Sequence, residues 1–261
     1  TSEPARAPTK PDPPTAQPAC PVPSDAPPAP AAHPQHGRPS ATWVYRDASG
    51  LELMRVYRFD KAGGKIVLPM TCWRDPGGLR WHWKGLPGVR PLYGLDRLAE
   101  RPGAPVIVTE GERDCDAAAA LLPGYVAVTS PNGAKSAERA DWTPLAGRAV
   151  VIWPDFDPPG AEFAADVARL TRAAGARSVA TLDPSTLAAL RPGDQAAEPL
   201  APGWGAADAL AAGIPPDALG ELLDRLASAP TAKASKTRAP GASTPRAPMP
   251  AAGGRFDLLD E

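Results

Sequence analysis

Two stretches of this chain end in residues that can do chemistry. Val106-Ile-Val-Thr-Glu110-Gly111-Glu112 and Val150-Val-Ile-Trp-Pro-Asp155-Phe-Asp157-Pro-Pro-Gly160 are each an apolar, β-branched run followed by acids. Such runs read as buried parallel strands, and in open α/β sheets ligands collect at the carboxyl ends of the strands. A Glu and an Asp-x-Asp pair brought to one sheet edge supply the oxygen donors that a hard divalent cation requires. Phosphates and water then complete the shell. The expected cofactor is therefore Mg²⁺, with Mn²⁺ as its substitute, held by Glu110, Asp155 and Asp157.

Each piece also has a plainer reading. Alone, Glu110 is an acid favoured by a helix N-terminus, and Asp155 and Asp157 are turn residues ahead of a helix. The conjunction selects the metal site, because acids follow two separate strands and a helix follows each. Pro131-Asn132-Gly133-Ala134-Lys135 comes after an intervening strand, at the same edge. It fits a phosphate cradle of backbone N–H groups with one Lys and equally an ordinary Asn-Gly turn.

Strand–helix alternation must position these groups. From Gly94 the pattern gives a short helix at 95–100, a strand at 105–109, a helix over 114–122, a strand at 125–129 and another at 148–153. An amphipathic helix over 161–174 and a strand at 178–182 follow, then a Pro- and Gly-rich loop over 183–204 and helical segments to 226. This order predicts an α/β fold, a parallel sheet flanked by helices with right-handed crossovers.

Residues 41–93 read as a small, β-rich, antiparallel subdomain. Along Arg80-Trp81-His82-Trp83-Lys84 a period of two sets Trp81 and Trp83 against Arg80, His82 and Lys84. Trp73, Trp81 and Trp83 either stack unpaired bases beside Arg74, Arg80 and Lys84 or pack on the subdomain's own core. The chain holds 36 Pro among 261 residues; residues 1–40 are dominated by Pro and Ala, and residues 229–255 repeat that pattern with Lys and Arg added. Such composition buries too little apolar surface to offset chain entropy, so both ends are expected to be disordered or extended. The expected organisation is thus 1–40 terminal segment, 41–93 basic β-rich subdomain, 94–228 catalytic domain and 229–261 linker and tail.

Net charge is −1 but unevenly spread. Residues 46–101 carry eleven Lys/Arg against six Asp/Glu, and residues 110–228 carry nine against seventeen. A basic lobe beside an acidic one suits a polyanion held near a metal. Cys20, Cys72 and Cys115 form no Cys-x-x-Cys pair, which excludes a zinc module or disulfide framework built on such spacing. No apolar run reaches the length of a membrane span and no signal-peptide core is evident, so no membrane partner and a cytoplasmic location are expected.

The order strand–Glu110-Gly111, helix, strand, helix, strand–Asp155-x-Asp157-x-x-Gly160, helix, strand resembles the Toprim module of bacterial-type primases, topoisomerases and several nucleases. The resemblance covers roughly 104–183. It adds Asp114 as a fourth candidate metal ligand, and Asp208, in Gly-Trp204-Gly-Ala-Ala-Asp-Ala-Leu, resembles a segment that follows the module in phage- and plasmid-type primases. Pro159 departs from the Ala common in that family. The resemblance implies a DNA primase, a nucleotidyltransferase making short primers on single-stranded DNA from nucleoside triphosphates in phage, plasmid or mobile-element replication. The alternatives are a metal-dependent nuclease of the same module and a non-catalytic, nucleic-acid-binding replication accessory.

The zinc-binding module of those primases has no counterpart in this sequence. Dependence on a replicative helicase or origin-binding partner is therefore expected, with the terminal Phe256-Asp-Leu-Leu-Asp-Glu261 as either a dock or an inert tail.

Overall fold

The computed structural model describes residues 16–228, excepting the side chains of Ala134 and Lys135. Two sheets make up the fold. Strands β1 (Gln17–Pro18), β2 (Ala41–Arg46), β3 (Glu52–Lys61), β4 (Gly64–Asp75) and β5 (Gly78–His82) form an antiparallel sheet. The long β4 changes partners along its length. Gly64–Met70 pair with β3, and Thr71–Asp75 pair with β5, while β1 lies against Trp73 and Arg74. Pro69 falls in the half bonded to β3 alone, where a missing N–H is tolerated.

The antiparallel sheet leads into α1 (Leu95–Glu100), β6 (Val106–Thr109), α2 (Glu112–Leu121), β7 (Val126–Val128), β8 (Ala149–Trp153), α3 (Pro158–Ala173), β9 (Ser178–Thr181), α4 (Ala206–Ala211) and α5 (Pro216–Ser228). The four strands run parallel in the order β7-β6-β8-β9. Both faces of this sheet are covered, which is why its strands read as unbroken apolar runs. Ile107, Val151 and Trp153 pack with Leu121, Leu219 and Leu223 on one side. Val106, Val108, Val150 and Ile152 pack with Phe163 and Val167 on the other. The expected α/β class is therefore the observed one, a parallel sheet flanked by helices behind an antiparallel subdomain. The loop over 183–204 contains two short 3-10 turns, Pro184–Leu190 and Gly193–Ala197, and buries Leu187 completely.

Residues 1–40 were expected to be disordered or extended, and residues 16–40 dock along the antiparallel sheet. Val22 N–H donates to the Glu52 carbonyl and Ala19 N–H to that of Cys72. The Trp81 indole donates to the Pro27 carbonyl at 2.7 Å, and the Tyr57 hydroxyl to that of Pro30 at 3.4 Å. His33 and His36 stack on each other, His33 edges onto Phe59 and Trp83, and His36 lies tilted against Phe59. A Pro-rich chain has few conformations to lose and keeps its carbonyl acceptors, so it docks on an aromatic face with little core of its own. Residues 1–15 and 229–261, including the expected linker and the Phe256–Glu261 segment, lie outside the described residues. No helix among the described residues is long and apolar enough to cross a membrane.

Candidate active site

Strands β6 and β8 are parallel neighbours, with Thr109 opposite Trp153. The residues that follow them therefore emerge at one edge, Glu110 from β6 and Asp155 from β8. Together with Asp114 they line a cavity of about 430 Å³, whose other walls are Asn132 and Gly133 after β7 and Lys65 and Val67 of β4. Lys65, Asp114 and Asp155 also line a smaller adjoining recess with Arg58 and Asp208. The cleft thus lies between the acidic edge of the parallel sheet and a basic face of the antiparallel one.

Backbone contacts fix Asp114 and Asp157. Asp114 Oδ1 accepts from Ala207 N–H at 2.8 Å, tying the first turn of α2 to α4. Asp157 is the N-cap of α3, its Oδ1 accepting from Gly160 N–H at 2.7 Å, and Pro158 and Pro159 occupy the opening positions where an N–H is dispensable. Two glycines allow the close approach. A Cβ on Gly160 would lie 2.2 Å from the Asp155 carbonyl oxygen, and one on Gly205 would lie 2.5 Å from Asp155 Oδ1 and 2.6 Å from Asp114 Oδ1. Asp208 caps its own helix through Gly205 N–H.

Crowding these carboxyls is electrostatically costly. Burial, then the charges of Asp114, Glu110 and Asp157, push the Asp155 carboxyl up to about 8. Burial and the same neighbours raise Glu110, and burial raises Asp114 against the opposing bond from Ala207. Lys65 favours the charged form of all three.

Among the described residues, no three His, Cys, Asp or Glu side chains converge closely enough to cage a metal ion by themselves. The donor set nonetheless fits Mg²⁺, which is commonly held by one or two carboxylates with water and substrate phosphates. Glu110 Oε2 is buried without a hydrogen-bond partner, and the acids beside it are all oxygen donors. Asp157 differs from the expected ligand in committing one oxygen to the cap of α3.

Asn132 stands at the cavity as expected, in the left-handed region at φ 70° with Gly133 at φ 65°. Lys135 follows in a 3-10 turn (Ala134–Arg139), its side chain outside the described residues. Arg74, Arg80 and Lys84 do not line the cavity. Arg80 pairs with Asp75 at 3.7 Å, and the Lys84 ammonium lies 3.3 Å from the Trp73 ring centre. Arg80 is paired across from Trp73, so Arg74, next along β4, alternates to the opposite face of the sheet. Of the tryptophans, Trp81 and Trp83 pack with Tyr57, Phe59 and Met70, and Trp73 is 8% exposed. The core-packing alternative holds for all three.

Three groups escaped the sequence reading. Lys65 is one, visible beforehand only as the first residue of a strand. Glu112 is another, 7% exposed at the head of α2 and accepting from the Tyr45 hydroxyl at 2.7 Å. The third is Asp116, which takes the Trp43 indole at 2.8 Å and the Tyr93 hydroxyl at 2.9 Å. These bonds clasp α2, and with it Asp114, to the antiparallel subdomain. The Glu-Gly-Glu-x-Asp-x-Asp spacing, acids at every second position of a helix start, was the available signal.

No protein-family model and no curated protein sequence matches this chain. Among solved structures it is similar to the primase fragment of the bacteriophage T7 primase-helicase protein, at 19% identity and a TM-score of 0.36 over 54% of this chain and 52% of that one. It is similar at the same identity and TM-score to the primase domains of two T7 gp4 subunits, bound to an RNA/DNA hybrid and dTTP with the lagging-strand DNA polymerase, over 54% of this chain and 64% of that one. The chain spans less than two thirds of either, and at that identity and overlap the likeness assigns it no activity.

Proposed function

We propose that this chain is a primase-type nucleotidyltransferase of the Toprim kind, joining nucleoside triphosphates into short primers on single-stranded DNA in phage, plasmid or mobile-element replication. One observation carries the reading. Carboxyls from the ends of adjacent parallel strands, Glu110 and Asp155, share a cavity with Asp114, with the Asn132-Gly133 turn and with a cation, Lys65, from the facing sheet. Acids on one wall and a lysine on the other match a substrate that is a metal-bound polyphosphate.

Asp155 and Glu110 would hold Mg²⁺, with Asp114 and the free oxygen of Asp157 beside them. Bound there, the ion supplies charge neutralisation for phosphoryl transfer. Lys65 attracts the phosphate oxygens from the opposite wall, and the Asn132-Gly133 turn borders the same space. The Asp157 cap and the Asp114–Ala207 bond hold the acids so that they need not reorganise as charge develops. In the reaction a primer 3′-hydroxyl oxygen bonds to the α-phosphorus, the bond to the bridging oxygen breaks so that pyrophosphate departs in line, and the hydroxyl proton passes to water. Arg80 and Lys84 offer sequence-independent phosphate contacts to the template, and a replicative helicase or origin-binding protein would direct the chain to it.

The test is to incubate the full chain with single-stranded DNA, Mg²⁺ and labelled ribonucleotides and to resolve the products by length. Short new products lost in the Asp155→Asn, Asp157→Asn double variant support the reading. Cut template without new product transfers the same acids to nuclease chemistry. Undiminished synthesis by the double variant would remove the metal site.

A further inference from the structure

Phe156 separates the two aspartates of the β8–α3 loop and is the least buried of the phenylalanines near the sheets. It is 36% exposed, whereas Phe59 and Phe163 are each 1% exposed. It belongs to none of the apolar clusters among the described residues. Its backbone is nevertheless held firmly. Phe156 N–H donates to the Trp204 carbonyl at 2.9 Å, Gly203 N–H donates to the Phe156 carbonyl at 3.0 Å, and Asp157 N–H closes back on the Asp155 carbonyl at 2.9 Å. That last bond makes a three-residue turn with Phe156 at its apex, which presents the side chain outward.

A turn of this kind is built by its backbone, so any small polar residue would serve it. The chain instead places a large apolar ring that stays 36% exposed, between two of the candidate acids. Asp155 on one side lines the acid cavity, and Gly203, bonded to Phe156, lines the adjoining recess. Trp73, Trp81 and Trp83 are engaged in packing. Phe156 is thus a part-exposed ring on a hydrogen-bonded backbone, next in the chain to a residue of the cleft whose walls suit phosphate.

We infer that Phe156 is a stacking platform for an unpaired nucleobase, holding that base while the attached phosphate lies against the acid and Lys65 walls. The inference rests on the primase-type reading of the site and names what it adds: recognition of the base, as distinct from the phosphate. Stacking on one face is tolerant of base identity, so Phe156 confers affinity for nucleotides with little preference among them.

The experiment compares the full chain with Phe156→Ala, Phe156→Leu and Phe156→Trp. Equilibrium dissociation constants are measured with Mg²⁺ for three probes: ATP, an oligo-dT single strand, and inorganic tripolyphosphate, which has no base. In the Ala and Leu variants, affinity for at least one base-bearing probe is expected to fall about 5- to 150-fold, the range that base–aromatic stacking carries. Tripolyphosphate binding should stay within twofold, and Trp should restore the loss. Loss for ATP alone assigns the platform to the incoming nucleotide, and loss for oligo-dT alone assigns it to the template.

The inference is overturned if all three probes bind the Ala variant as they bind the parent. It is equally overturned if tripolyphosphate weakens in step with ATP, since Phe156 would then be shaping the loop. A parallel Asp155→Asn arm keeps the two readings apart. Unchanged Mg²⁺-dependent tripolyphosphate binding in that arm removes the site itself, whatever Phe156 does.

Discussion

Asp155→Asn should make the metal-free protein more stable, and increasingly so as pH rises. The Asp155 carboxyl titrates near 8 in the folded chain because burial and three neighbouring carboxyls oppose its charge, whereas an unfolded aspartate titrates near ~4. Between those values the folded state keeps a proton that the unfolded state has released. The stability this gives is complete below the unfolded value and is lost as pH climbs through the folded one. The slope approaches about 1.4 kcal/mol per pH unit, an upper limit of about 4 kcal/mol from pH 5 to pH 8.

Solvent in the cavity and sharing of the charge with Glu110 and Asp114 reduce this to about 2 kcal/mol. Asparagine has nearly the same volume and carries no charge, so it removes the loss and relieves Glu110 and Asp114 as well. Urea unfolding at pH 5, 6, 7 and 8 in chelator should show the variant equal to the parent at pH 5 and about 2 kcal/mol more stable at pH 8. For a domain of this size that is a rise in melting temperature of about 4–8 °C. Adding Mg²⁺ should stabilise the parent at pH 8, since a ligand of the folded state adds stability by mass action, and should do little for the variant. Parallel pH curves for the two proteins would refute the electrostatic account.

Two further substitutions probe the scaffold. Gly160→Ala should cost about 2–4 kcal/mol, because its Cβ would sit 2.2 Å from the Asp155 carbonyl oxygen and only backbone movement relieves such a clash; a melting temperature unchanged from the parent would show the α3 entry to be looser than drawn. Tyr45→Phe removes the hydroxyl that bonds Glu112 at 2.7 Å in a buried setting, so about 1.5–3 kcal/mol of stability should disappear and the urea midpoint should fall. Retention of the parental midpoint would mean that the bond adds nothing to the clasp on α2.

Much of the framework was legible because physical signals agreed locally. Val150–Trp153 is β-branched and apolar on both faces, which only a doubly covered strand explains. Asp157-Pro-Pro-Gly160 is an N-cap, two residues suited to a helix start, and the one residue that fits against the Asp155 carbonyl. Lys65 was not legible. It begins a hairpin strand, and its partnership with Glu110 depends on how one sheet faces the other, which no local pattern encodes. The docking of residues 16–40 was hidden for a different reason. Composition reports the absence of apolar side chains but not the carbonyl oxygens that Trp81 and Tyr57 use.

The arrangement of Asp157 bears on how the plain and the chemical readings of an acid are related. Its Oδ1 is an ordinary N-cap, worth about 1 kcal/mol to α3, and that role would be satisfied by any Asp, Ser or Thr. Nothing in the capping requires Asp155 two residues earlier, Glu110 on the next strand or Asp114 on α2. Asp114 and Glu110 raise the proton affinity of Asp155, Asp114 raises that of Glu110, and Glu110 Oε2 is buried without a partner. Lys65 offsets part of that repulsion, and Ala207 N–H satisfies one oxygen of Asp114. A fold selected for stability alone would place an amide or a serine at Asp155, as the first prediction measures. Local cost that neighbouring backbone bonds hold in place is the expected mark of a functional site. Here the cap that stabilises α3 also fixes the loop that carries Asp155 and Phe156, so one residue serves the helix and the chemistry together.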